Sequence, residues 1–244
     1  MKPILLSATA LFAGYLAVAG LAKPVYAELA AAEKQEIEAL IESFINENPE
    51  LLRDALTRLA EAEAMAAQQA AMDLVHDDRG DPYIGAENPS LIIYEFSDYN
   101  CGYCKRVFPD LMAILDDDPS LRLVLKEFPI LAESSVLGAR AAIAAQRQQK
   151  FPAFHAEMMG WRGRLDADAI NRMASSVGLD IAQLQIDMQD PVTDIILNRT
   201  RQAAAALDLR GTPALVIGNN IVPGAISRDE ILNLIKQARA DKNS

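Results

Sequence analysis

Apolar and polar positions follow three different rhythms along the 244-residue chain. Residues 4–22 are continuously apolar and uncharged, with Lys2 before them and Pro24 and Val25-Tyr26-Ala27 after them. A basic start, an apolar run and small residues ahead of a cut form the layout of a cleaved export signal, so residues 1–27 are expected to be removed and the mature chain to begin at Glu28. The run is also nearly long enough for an uncleaved membrane anchor, which is the alternative.

From Glu33 to Ala71 the rhythm is helical. Ile37, Leu40, Ile41, Phe44 and Ile45 recur at spacings of three and four. Asn48-Pro49 reads as a stop and a restart, with Asn48 as N-cap and Pro49 at the first helical position. Leu52, Leu56, Leu59 and Ala62 carry the stripe into an alanine-rich stretch, and Arg79-Gly80-Asp81-Pro82 closes it as a linker. Two helices alone cannot bury such a stripe. It must pack on the downstream domain or on another copy of the chain, and an oligomerisation arm over residues 28–77 is the favoured reading.

The third rhythm, over residues 78–244, is mixed α/β. Leu91 to Phe96 is a short apolar run rich in β-formers, the residues after Cys101 are helical, and Leu121 to Phe128 reads as the next strand. That is one βαβ unit. A helical stretch of about 131–207 follows, punctuated by Gly160, Gly163, Gly178 and Pro191. Ala214 to Ile217, the turn at Gly218-Asn219-Asn220 and Ile221-Val222 predict a β-hairpin, and Ser227 caps a last amphipathic helix.

The chain has a net charge of −11, and residues 1–27 contain Lys2 and Lys23 but no acid, so removing them makes it more negative. Such a surface argues against nucleic acid or an anionic membrane as partner. There is no phosphate-cradling glycine loop, nucleophilic serine motif or nucleotide fingerprint, and no cofactor is called for. Asp116-Asp117-Asp118 reads as a solvated helix end. His76 and His155 read as surface residues, one in the linker and one on an amphipathic helix. Met158, Met159 and Trp161 read as packing residues.

Only two cysteines are present, in Cys101-Gly102-Tyr103-Cys104, at the junction of predicted strand and helix. A structural disulfide closing so small a loop would remove little unfolded-state entropy. A redox-active dithiol is the stronger reading, and export makes it more so, because a pair outside the cytosol can stay oxidised or cycle. Free backbone N–H groups and the dipole at a helix N-terminus favour a thiolate. Cys101 is expected to be the exposed attacker, and Cys104, one turn in, the more buried thiol that resolves a mixed disulfide. Glu95 lies in an apolar strand; it is either buried, needing a partner such as Lys126 or a raised pKa, or turned outward at an edge.

With strand, C-x-x-C, helix, helical insertion and Gly211-Thr212-Pro213 before a hairpin, the chain resembles the DsbA-like family of the thioredoxin fold. Tyr94-Glu95-Phe96-Ser97-Asp98-Tyr99-Asn100 and Lys126-Glu127-Phe128-Pro129-Ile130 resemble the ScsC-like periplasmic thiol–disulfide proteins and their Com-type relatives. The resemblance implies an α/β thioredoxin fold with a helical insertion, preceded by an N-terminal helical arm. It implies that Pro213 is a cis-proline facing the dithiol, and that Thr212 presents backbone to an extended client and tunes the site with Gly102 and Tyr103. It further implies that Glu95 accepts a proton from the buried cysteine. Thr212-Pro213 with Gly102-Tyr103 is closer to DsbC-type isomerases than to DsbA. The expected function is a periplasmic thiol–disulfide oxidoreductase, isomerase or reductase work favoured. Its partners would be exported client proteins, a membrane redox partner that recycles the dithiol, and further copies of the chain. A Cu(I)-binding or copper-tolerance protein using the same two sulfurs is the alternative.

Overall fold

The computed structural model describes residues 30–242, so the export signal expected at 1–27 lies outside the described residues. Two helices open the described chain, α1 (Ala31–Glu47) and α2 (Pro49–His76). Asn48 does separate them, but its side-chain amide turns back and donates to Phe44 O at 2.8 Å. It therefore serves the open carbonyls at the end of α1. α1 buries none of its residues, and Leu40, Phe44, Leu56 and Leu59 are each more than half exposed.

Two compact units meet at Leu59–Ala60, inside α2, earlier than the 77/78 boundary read from the helical pattern. The last turns of α2 belong to the second unit because Ala71, Met72 and Val75 are buried, the latter two against Tyr94, Phe96 and Val216. His76 accordingly sits in the final turn of α2 and not in a linker.

The second unit is built on a five-stranded sheet of order β1-β3-β2-β4-β5. Its strands are β1 (Tyr83–Gly85), β2 (Leu91–Ser97), β3 (Leu121–Glu127), β4 (Ala214–Ile217) and β5 (Asn220–Pro223). β2 and β3 run parallel, joined by α3 (Gly102–Asp117), and the other pairs are antiparallel. The edge strand β1 has too few residues to announce itself as a period. Between β3 and β4 come α4 (Glu133–Arg147), α5 (Phe151–Gly160), α6 (Ala167–Ser176), α7 (Ile181–Met188) and α8 (Pro191–Ala206). The closing helix is α9 (Arg228–Lys242), where Ser227 and Glu230 bond reciprocally in a capping box. The hairpin turns at Gly218, whose φ of +58° suits glycine; a Cβ there would come within 2.7 Å of Ala238.

Strand alternation divides the sheet into two faces. Ile93, Leu123, Leu125, Leu215 and Ile217 point to one, packing with Val107, Leu111 and Ile114 of α3 and Ile231 and Ile235 of α9. Tyr94, Phe96, Val124, Ala214 and Val216 point to the other, against the end of α2 and Ala203 and Ala204 of α8. The site uses the polar residues of the first face.

Candidate functional site

The turn between β2 and α3 is held by Asp98, which is 1% exposed. Its carboxylate accepts the backbone N–H groups of Asn100 at 2.8 Å and of Ile130 and Leu131 at 3.0 Å each, and its carbonyl accepts Cys101 N–H at 2.9 Å. One short acid thus ties the entry to α3 to the loop after β3. Asn100 adds bonds from its amide to Ser134 and Ser135 at 2.9 and 2.8 Å.

Cys101 is the N-cap of α3, in extended conformation, and its sulfur accepts Cys104 N–H at 3.3 Å. In the thiol form its S–H donates to Thr212 O at 3.2 Å, so the Thr212-Pro213 turn lies against the dithiol. The Thr212–Pro213 peptide bond is cis. Both cysteines are free thiols here. Cys104 is fully buried, and Cys101, expected to be exposed, is only 5% exposed, packed with the core on one side and bonded to Thr212 O. Gly102 and Tyr103 face solvent on the first turn of α3, and the Arg106 guanidinium stacks 4.8 Å from the Tyr103 ring centroid.

Glu95 is 1% exposed, on the sheet face that carries Cys104. Burial pushes its carboxyl up to about 8. Burial, and then the nearby Glu95 charge, drive the Cys104 thiol far above its ordinary value. The Lys126 partnership for Glu95 does not form. In the parallel register Glu95 pairs with Leu125 and Phe96 with Lys126, which puts Glu95 and Lys126 on opposite faces. Lys126 instead donates to Asp81 at 2.6 Å and to Asp77 O at 2.8 Å, pinning the segment after α2 beneath the second face.

Glu127 is a second buried acid on the face of Glu95, 1% exposed, its carboxyl raised well above the ordinary range by burial. The Tyr99 hydroxyl lies 3.1 Å from Glu127 Oε1 and 2.8 Å from His155 Nδ1. His155 is fully buried, a correction to its reading as a surface residue: α5 turns it inward among the rings of Tyr99, Phe108 and Phe151. Burial lowers its ring to about 3, so it is neutral. Asp98, Tyr99 and Glu127 were read from the sequence only as parts of the motifs that carry the resemblance, and none of them, nor His155, was given a role in the site. For Asp98 the signal was present, a short acid at a turn two residues before an N–H it accepts. For His155 no local signal existed.

A family model for the DSBA-like thioredoxin domain matches residues 92–236, more than half of the chain. The chain belongs to the DSBA-like thioredoxin family. Among solved structures, this DSBA-like chain is similar to a thioredoxin-like oxidoreductase from Silicibacter pomeroyi, with 37% identity, a TM-score of 0.66, and 69% of this chain and 97% of that one covered. It is also similar to the catalytic domain of Proteus mirabilis ScsC, with 30% identity, a TM-score of 0.65, and coverage of 72% and 98%. A periplasmic thioredoxin-like protein from Salmonella enterica serovar Typhimurium shares 32% identity at a TM-score of 0.64, with coverage of 70% and 97%. The chain spans about a quarter of the length of the curated relatives it matches, such as the Na(+)/H(+) antiporter NhaA 1 of Mycobacterium sp. (strain KMS), 27% identical over 169 residues, or 66% of this chain and 26% of that protein. Among the described residues no helix is long and apolar enough to cross a membrane.

Proposed function

We propose that this DSBA-like protein is an exported thiol–disulfide oxidoreductase acting on protein clients, with isomerase or reductase work favoured over oxidation. The observation that carries the reading is the Cys101 sulfur at the head of α3, 3.3 Å from Cys104 N and 3.2 Å from Thr212 O. The Cys101 thiolate attacks one sulfur of a client disulfide. A mixed disulfide forms and the other client sulfur leaves as thiolate. Cys104 gives its proton to Glu95 and attacks the Cys101 sulfur. The Cys101–Cys104 disulfide forms, the first client sulfur departs, and the client has gained two electrons. In isomerisation a client thiolate attacks the mixed disulfide first, and the dithiol returns reduced. Thr212, beside Pro213, presents backbone to the client, and Gly102 and Tyr103 form the exposed edge of the contact.

The arm supports the isomerase preference. Its apolar stripe is exposed in the single chain and would be buried by joining protomers, so that several dithiols face one client. A periplasmic location agrees with the leader pattern in residues 1–27 and with the Salmonella relative described as periplasmic. A membrane redox partner would recycle the dithiol. Purified protein tests the reading: Cys101→Ser abolishes reduction of a protein disulfide, and Cys104→Ser accumulates mixed disulfides on Cys101. Activity that survives Cys101→Ser sinks it.

A further inference from the structure

We infer that the dithiol face selects client segments bearing carboxylates beside their reactive sulfur, through a rim of cations assembled on Trp161. The inference rests on the thiol–disulfide reading and names the client chemistry it would prefer. The chain as a whole is acidic, with 34 acids against 23 Lys and Arg. Yet the residues next to the dithiol are basic. Lys105 and Arg106 directly follow Cys104, and the Lys105 ammonium lies near the Arg162 guanidinium, the Asp98 carboxylate and the Cys101 sulfur. Lys105 donates to Trp161 O at 2.5 Å. The guanidinium of Arg162 donates to Met159 O at 2.6 Å and to Trp161 O at 3.2 Å. The indole N–H donates to Arg164 O at 3.0 Å, and the Arg172 guanidinium lies 5.7 Å from the indole centroid. Trp161 thus gathers cations from α3, from the α5–α6 connection and from α6.

Lys105, Arg106, Arg162 and Arg172 contact backbone carbonyls and rings, and neither they nor Arg164 form an ion pair among the described residues. Several arginines elsewhere are paired, as Arg147 is with Asp187 and Asp190 and Arg239 with Asp118, although Arg122 and Arg201 form no ion pair among the described residues. The carboxylates near the rim weaken it but form no ion pair with its cations, and Asp166, two residues after Arg164, has Oδ1 accepting Ala169 N–H at 2.9 Å. Asp98 is buried with its oxygens taken by backbone N–H groups, Asp110 lies one turn beyond Arg106 without bridging to it, and Asp168 one turn before Arg172, also without bridging. Arg106, Arg162, Arg164 and Arg172 are exposed, so their charge reaches solvent around Trp161, which Lys105 ties to the helix that carries the dithiol. A local field of one sign on an oppositely charged molecule steers complementary segments to that place and repels like-charged ones. Because Lys105, Arg162 and Arg172 are held at Trp161 and Arg106 at Tyr103, little side-chain entropy of these four is lost on docking.

The test uses full-length reduced protein and three disulfide peptides of one length, with Glu, Gln or Lys flanking the cysteine. Each rate is divided by that peptide's rate with dithiothreitol, which removes intrinsic differences in disulfide reactivity. The expected order is Glu over Gln over Lys, with a Glu-to-Lys ratio of about tenfold at low salt that falls toward one near 1 M salt. In the triple variant Arg106→Gln, Arg162→Gln, Arg164→Gln the ratio drops at least about threefold, roughly one or two weak surface pairs' worth. Circular dichroism checks that the variant is folded, and single substitutions at Arg162 and Arg164 serve if it is not. Equal normalised rates for the three peptides, or a ratio unmoved by the substitutions, overturn the rim while leaving the oxidoreductase reading intact. No reaction with any peptide overturns that reading, and this inference with it.

Discussion

At the scale of single residues the site is a set of buried acids, a buried histidine and two buried thiols, of which Cys101 lies nearer the surface. In the proposed mechanism Glu95 can take the proton of Cys104 only when ionised, and burial pushes its carboxyl up to about 8. The rate at which Cys104 resolves a mixed disulfide should therefore climb as pH rises through about 8. Glu95→Gln should remove that limb and slow resolution above it by about 10²-fold, as read by rapid quench of a preformed mixed disulfide. A rate with the wild-type pH dependence in Glu95→Gln would remove Glu95 from the mechanism. Linkage predicts a second effect. The folded-state value lies above the ordinary 4.5, so the native protein holds this proton more tightly than the unfolded chain. The contribution to stability is complete below about 4.5 and is lost as pH rises through about 8. Glu95→Gln should flatten that decline in urea unfolding measured from pH 5 to 9.

His155 works in the opposite direction. Its ring is lowered to about 3 from the ordinary 6.5, so the unfolded chain takes up the proton first as pH falls. Stability should drop between pH 6.5 and 3 by a few kcal/mol on this account. His155→Phe keeps an aromatic ring among Tyr99, Phe108 and Phe151, gives up the bond to Tyr99 at a cost of about 1 kcal/mol at neutral pH, and should shallow the acid limb. An acid limb as steep as wild type would contradict this.

At the scale of elements, the loop after β3 and the N-terminus of α3 are one unit because Asp98 accepts from both sides. Asp98→Ala leaves three backbone N–H groups without their acceptor and should cost about 3 kcal/mol, read as a lower urea midpoint at unchanged slope. Register is as consequential as capping. Shifting β3 by one residue against β2 would exchange Lys126 and Glu127 between faces and bring an ammonium, not an acid, beside Glu95. The alternation of β2 and β3 was visible in the sequence, but which residue of one faced which residue of the other was not. That is why Lys126 was matched with Glu95, and why its true partner Asp81, in a stretch that reads as linker, was missed.

At the scale of the whole molecule, the exposed apolar stripe on α1 and α2 decides whether the proposed isomerase geometry exists. Leu40→Glu with Leu56→Glu places charge on that stripe without touching the buried residues of the second unit. The doubly substituted protein should run as a monomer in light scattering and lose refolding of scrambled disulfides while keeping simple disulfide reduction. Wild-type protein that is already monomeric would remove the isomerase preference and leave the oxidoreductase reading standing.

What the chain determines by itself follows from local rules. The helical period of the arm, the βαβ order, the hairpin at Gly218 and the cysteines at a helix start are written in residue types within a few positions of one another. Only the tertiary structure decided what depends on distant segments meeting. It set Thr212 O against Cys101, buried His155 with Tyr99 and Glu127, parted Lys126 from Glu95, and grouped cations around Trp161. Burial and pairing are properties of the packed sheet and helices together, because the neighbours that exclude water from a side chain lie tens of residues away along the chain.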